Sequence, residues 1–498
     1  MSASREKKER KVQGSDSPIT QSQPVKSGMS RGLKTTLIVV CAIVVVAAVV
    51  FFSMITGGDF AGHSTAATIG THQLTPAMVN YYYRAAINQM SSYASYLGVD
   101  TTTSLFTQVY NEETGETWGD LLMDQALTGA AQTYAIYDEA LAQGFTLSDD
   151  QQSSIDATVS TLDLYAAQAS LSNANAYLSA YYGTGCNTKN FREYLTVNTT
   201  AEAYREQVND GFTYTAEDLA AEYEANPANY NTYTYRQFLI GDSLFQTDDN
   251  TLSEEALAEK KEALATEMAA AAQGDEQAFI DAAYENAAES NKNSYLDADA
   301  TLRSYTGASI PEALRTWFAD SARQEGDTTA VEVEGTWYVV YYISYSTNDY
   351  PLPNIREIPF AATDTSDEDA MAEAKSNADA ALAEYEAGER TADAFISLVQ
   401  KYTGNETADG LTENVTPNSG SDEYNTWCFD ASRAVGDAAV VETSTGYSLI
   451  FFDSYGDTYR NTLVENTLRT NAYNAWYTGL TADAAYTEQS FGMRFVSK

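Results

Sequence analysis

The sequence predicts an α+β protein: a helical lobe followed by two tandem α/β domains, the whole preceded by one transmembrane helix. Three observations predict it. Residues 35–58 carry no charge, and residues 68–235 repeat apolar positions at helical spacing. The passage "WFADSARQEGDTTAVE" (residues 317–332) then returns 110 residues later as "WCFDASRAVGDAAVVE" (residues 427–442). Trp, Asp, Arg, Gly, Asp, Val and Glu coincide in that alignment, which marks an internal repeat. A chain of 498 residues has room for such a set of units, at roughly 100 to 200 residues each.

The first 34 residues hold eight Lys or Arg against three Asp or Glu. The run "LIVVCAIVVVAAVVFFSMI" (residues 37–55) follows, long enough to cross a hydrocarbon layer about 30 Å thick. The basic flank predicts a cytoplasmic segment over 1–34, a transmembrane anchor over 35–58 and an extracytoplasmic bulk. A cleaved signal peptide fits less well, since both the basic region and the apolar run exceed the usual signal pattern. A lipoprotein start is disfavoured by Val40 before Cys41, where a small residue is wanted.

Residues 59–234 read as helical. Val79, Tyr83, Ala86, Met90, Tyr93 and Leu97 recur at steps of three and four and form one apolar stripe. Such a stripe packs against other helices or offers a greasy surface to client chains. Ser148 caps a second long helix, and Thr215 with Asp218 caps a third, stopped at Pro227. Residues 233–240, aromatic and β-branched, read as a strand.

The repeat occupies 235–346 and 347–456. Arg236 in "YRQFLI" answers Arg356 in "NIREIPF", and an Ala/Glu/Lys-rich helix follows each. "QAFIDAAY" answers "DAFISLVQKY", and each copy ends in the Trp passage and a closing strand, "TWYVVYYISY" or "GYSLIFFDSY". Residues 347–353 read as a short linker. Residues 457–498 read as a helix and a final strand, "SFGMRFVSK", packed on the helical lobe.

The chain carries 28 basic against 70 acidic residues, a net of −42, and eight of the bases lie before the apolar run. That field repels nucleic acid and anionic head groups. Cys186 and Cys428 follow the anchor; a single disulfide is possible there, and the reading leaves them unpaired. His63 and His72, the only histidines, lie near the membrane and in no hydrolase constellation. No zinc spacing, calcium loop or Gly-rich phosphate cradle is present, so no metal and no cofactor is expected. Acidic "DTSDEDAMAEA" reads as a helix cap and a solvated face.

The order of parts resembles the parvulin-type (PpiC-like) peptidyl-prolyl isomerases, and the whole chain resembles membrane-anchored extracytoplasmic foldases of the PrsA and SurA kind. The matches are the helical Asp-x-x-Arg-x-x-Gly-Asp, the "VVETSTGYSLIFF" that follows it, and "DAFISLVQKYTGN". The resemblance implies a chaperone lobe over 59–234, two parvulin-like domains, and prolyl isomerase activity. It also implies a His on the first strand and a His on the last. Those positions hold Gln237 and Tyr338 in the first copy, Glu357 and Ser448 in the second. The family's central acid or Cys falls near Gly404 and Asn405.

The expected function is therefore a single-pass foldase that holds unfolded or newly exported polypeptides near the membrane, without standard parvulin catalysis. Prolyl rotation breaks no covalent bond, so an isomerase with a His-free pocket stays open as an alternative, as does an envelope scaffold. The peptide-binding candidates are Trp317, Phe318, Trp427 and Phe429, as pocket wall or as repeat core. The 36 tyrosines serve as core fillers or as broad, polar-tipped faces for extended chains.

Overall fold

The computed structural model describes residues 43–50, 58–245 and 252–497 and is a mixed α+β protein. Most of the apolar run at 37–55 lies outside the described residues. Residues 43–50 are helical, and among the described residues no helix is long and apolar enough to cross a membrane. The chain divides into two compact units, Met1–Glu206 with Gly479–Lys498, and Gln207–Thr478.

The first unit is built on Pro76–Ser91, which begins with Thr75 accepting from Met78 N and with Pro at the first position. Val79, Tyr83 and Met90 of the predicted stripe are buried, and so are Asn80, Tyr81 and Tyr82. Over Pro76–Tyr83 the helix is buried all round, as a core helix is, and beyond that Met90 keeps the stripe's inward side. The helix ends at Ser91, and Tyr93 and Leu97, at 65% and 45% exposure, lie beyond it on a turn. Helices Trp118–Ala142 and Asp149–Gln168 follow, each opened by a reciprocal capping box, Thr117 with Asp120 and Ser148 with Gln151. Leu127, Ala130, Leu178 and Phe191 join Val79 and Tyr81 in one core. A three-stranded sheet completes the unit, in the order Tyr486–Glu488, Ala67–Ile69, His72–Leu74.

The predicted tail differs in two ways. Its strand is Tyr486–Glu488, while the "SFGMRFVSK" stretch contains a 3-10 turn, Gly492–Phe495. Gly492 lies so close to Thr65 that a Cβ would stand 2.0 Å from its carbonyl oxygen, and Met493 and Val496 turn into the core. The helix Tyr459–Thr481 runs largely within the second unit, where Arg460 lies over the Tyr223 ring and pairs with Asp349. Helix Ala216–Ala225, assigned above to the helical lobe, also clusters with the second unit.

The second unit contains two four-stranded antiparallel sheets of one topology. In the first copy the order is Leu302–Thr306, Thr232–Ile240, Thr336–Ser346, Thr328–Val333. In the second it is Leu411–Thr412, Pro351–Ala361, Gly446–Thr458, Ala438–Thr443. The two central strands carry the same irregularity of register, between Thr234 and Tyr235 in one and between Phe452 and Ser454 in the other. One face of each sheet takes two helices, Glu254–Ala271 with Glu276–Asn286, and Glu368–Ala387 with Ala392–Thr403. The other takes one seven-residue helix, Glu312–Phe318 or Asp422–Cys428.

The repeated motif now has a physical reason. The guanidinium of Arg323 lies 3.7 Å from the Trp317 ring and that of Arg433 4.7 Å from the Trp427 ring. Each Arg Nε also donates to the carbonyl of its own Trp, at 3.2 and 3.1 Å. Asp320 and Asp430 accept the amide two residues on, at 2.9 Å in both copies. Gly326 and Gly436 take φ of 92° and 97°, a left-handed turn that L side chains resist. Asp327 and Asp437 then close the turn, each accepting from the amide three residues earlier at 3.0 Å. The paired arginines of the opening strands are structural as well. Arg236 Nε meets Glu276 at 2.7 Å, and Arg356 Nε meets Asp453 at the same distance, both guanidiniums nearly buried.

Candidate functional site: an apolar cavity in the second repeat

Along Pro351–Ala361 successive side chains alternate between the two faces of the sheet. Arg356 and Ile358 face the helix pair, so Ile355 and Glu357 face the short helix Asp422–Cys428, with Ser448, Ile450 and Phe452 from the neighbouring strand. The sheet register brings together two of the four sequence-predicted positions. Ser448 Oγ donates to Glu357 Oε1 at 2.5 Å, with Ser448 2% exposed. Gln237 and Tyr338 make no hydrogen bond to each other; Tyr338 packs at the edge of the first copy's aromatic core. Gly404 is the left-handed C-cap of Ala392–Thr403, and Asn405 accepts from Thr407 N, so this stretch is a helix stop.

Cys428 and Tyr424 of the short helix lie in the same layer as Ile355 and Ile450. Burial, with the Glu357 carboxylate as a lesser cause, pushes the Cys428 thiol up to about 12, so it stays protonated. Burial likewise raises the Tyr424 hydroxyl. The group pairs Ser448 with Glu357 and the Tyr424 hydroxyl with the Cys428 thiol. It lacks the lowered thiol that a nucleophile needs.

Beyond Cys428 a cavity of about 550 Å³ opens. Tyr350, Pro351, Pro353, Pro417, Phe429 and Tyr455 line it, with Asn418, Asn425, Cys428 and Ala431. The Tyr350 ring meets Phe429 edge-on at 6.4 Å, and Tyr455 packs edge-on to Phe452 at 4.9 Å. Burial holds the Tyr350 hydroxyl up at about 12, hence neutral. Rings and prolines without a nearby fixed charge suit a short apolar stretch of extended chain.

Of the peptide-binding candidates, only Phe429 lines this cavity. Trp427 is a core residue under Arg433, Phe318 is 2% exposed, and Trp317 packs beside it. The sequence reading missed Tyr350, Pro351, Pro353, Pro417, Cys428 and Tyr455. One signal was available: the chain has nine prolines, and three of them line this one space. Among the described residues no three His, Cys, Asp or Glu side chains converge to hold a metal ion. His72 Nε2 lies 2.7 Å from Asp138, and His63 Nδ1 lies 2.9 Å from its own helix's Asp59 carbonyl.

No protein-family model matches the chain, and no curated protein matches it.

Proposed function

We propose that the protein is a membrane-anchored, extracytoplasmic foldase of the SurA and PrsA kind that holds unfolded polypeptides, with parvulin-like domains that work by binding. The cavity of about 550 Å³ beside Phe429 carries this reading, because its Pro, Tyr and Phe walls accept apolar chain segments regardless of sequence detail. The net charge of −42 adds attraction for basic segments and repulsion of nucleic acid. Anchoring rests on the apolar run at 37–55 and its basic flank.

The test uses the full-length chain in lipid nanodiscs. Aggregation of a chemically unfolded client is followed by light scattering, beside a protease-coupled assay of prolyl isomerisation. Suppressed aggregation with isomerisation at the uncatalysed rate is the expected pair of results. Failure to suppress aggregation would overturn the reading and favour a scaffold.

A second reading has its own support. Glu357 and Ser448 are hydrogen-bonded at the two positions where parvulins carry histidines, on the face that leads to the cavity. An isomerase that desolvates and twists the prolyl bond needs no nucleophile. This reading requires acceleration that Glu357→Gln removes.

A further inference from the structure

Sheet register and the repeated motif align the two repeats at the cavity, where Ala319 answers Phe429 and three other positions exchange a ring for a smaller side chain. Tyr233 pairs with Tyr345 across the first sheet as Pro353 pairs with Tyr455 across the second. Phe318 ends the first short helix as Cys428 ends the second. In the first repeat the Phe318 ring stacks on Tyr233 at 5.4 Å and leans on Tyr235 at 4.6 Å, and Tyr233 stacks on Tyr345 at 6.4 Å. Tyr233, Tyr235 and Phe318 are each no more than 2% exposed. In the second repeat the three corresponding residues are Pro353, Ile355 and Cys428, all smaller, and Pro353 and Cys428 line the cavity.

We propose that the second repeat is the ligand-binding one and that the first carries its own occupant, the rings of Phe318 and Tyr233 filling the equivalent space. Residues 318/428 and 233/353 are then the determinants of which repeat binds. The occupant that the second cavity takes is an extended peptide segment with one bulky apolar side chain, because that is what the first repeat's rings imitate there. The ligand is basic around that side chain, in keeping with the acidic chain. This inference rests on the peptide-binding reading above and narrows it to one site per chain.

The rings can be moved across. Cys428→Phe and Pro353→Tyr each install in the second repeat the side chain that closes the first. Pro353→Tyr removes no hydrogen bond, since Pro353 has no amide N–H and its carbonyl still accepts from Val415 N, whereas Cys428→Phe removes the bond between the thiol and the Tyr424 hydroxyl. Filling a cavity with apolar atoms tends to preserve or raise thermal stability when the ring fits.

Binding of a fluorescein-labelled decapeptide of Lys, Leu, Phe and Pro to the full-length chain is measured by anisotropy, with stoichiometry by titration at high protein concentration. Wild type should bind one peptide per chain. Cys428→Phe and Pro353→Tyr should each weaken binding by about tenfold or more, the loss expected when one apolar side chain can no longer be buried. Circular dichroism melts identify a misfolded variant, and the two closing variants stand in for each other if one fails. Two peptides per chain, or unchanged affinity in both folded closing variants, would overturn the inference while leaving peptide binding intact. No binding by wild type would overturn both.

Discussion

Replacing Arg433 by Met keeps most of the side-chain stem and removes the guanidinium, and the same change at Arg323 repeats the experiment within one chain. The cation over the Trp427 ring contributes about 0.5–1 kcal/mol when exposed and up to about 2 when desolvated. The charged hydrogen bond to the Trp427 carbonyl adds about 1.5 kcal/mol. The pairs with Asp430 and Asp437, at 3.1 and 3.8 Å and part-exposed, add little. These terms overlap, so each substitution should cost about 2–3 kcal/mol, with Arg323 toward the upper end because it lies 3.7 Å from its ring against 4.7 Å for Arg433. A global melt would mix units and is the wrong assay. Native-state hydrogen exchange by mass spectrometry reads each hairpin separately. Arg433→Met should speed exchange in strands Ala438–Thr443 and Gly446–Thr458 by roughly 30- to 150-fold and leave Thr328–Val333 and Thr336–Ser346 as they were. Arg323→Met should do the converse. Equal loosening of both hairpins, or no loosening of either, would refute the argument that the repeated motif is a local clamp.

Phe395, fully buried with its ring 4.9 Å from Phe451 and 5.7 Å from Tyr385, should cost about 3–5 kcal/mol as Phe395→Ala, seen as early proteolysis of the second repeat. Arg356→Met strands Asp453, which is itself largely buried, and should cost about 2–4 kcal/mol; adding Asp453→Asn should return part of that loss in a double-mutant cycle. Alkaline pH should destabilise the fold. The Cys428 thiol and the Tyr83, Tyr230, Tyr235 and Tyr350 hydroxyls are held up at about 12 by burial, so they stay neutral when folded and ionise first when unfolded. Their contribution is complete below the unfolded values, about 8.5 for a thiol and 10 for a phenol, and is lost as pH rises toward 12. A spectrophotometric titration in which all 36 tyrosines ionise near pH 10 with the far-UV signal intact would contradict this. Raised salt should weaken capture of basic peptides, and capture that is indifferent to salt would remove the electrostatic part of the proposal.

Features that live in one stretch of chain were legible in the sequence. Thr215 with Asp218 and Ser148 with Gln151 announce helix starts because a cap needs only its own neighbours. The Trp-Arg-Gly-Asp passage announced a repeat because clamp, turn and the start of the hairpin are contained in 16 residues. What depended on distant packing was misjudged. Tyr93 and Leu97 fit a helical period, yet the helix ends before them. The tail from Ser490 alternates like a strand, but Gly492 lets it press against Thr65 and turn. The cavity was hardest to see, since it comes from the small size of Cys428 and Pro353 across a strand register that only the fold reveals. Trp427 and Trp317 read as repeat core or pocket wall, and both pack in the repeat cores, where their arginine neighbours, six residues on, mark them as clamps.

The first unit is assembled from both ends of the chain. Ser497 N donates to Asn80 Oδ1 across 417 positions, and Tyr486–Glu488 supplies the neighbour that Ala67–Ile69 lacks on its outer side. A chain synthesised from its N-terminus must therefore leave that strand edge open until residues 486–488 have been made. The contiguous second unit has no such wait and can fold as it emerges. Closing so long an excursion costs only a logarithm of its length, so the delay is one of timing more than of free energy. The last twenty residues act as a latch, and a chain cut short before Tyr486 would keep two finished sheets and an unfinished lobe.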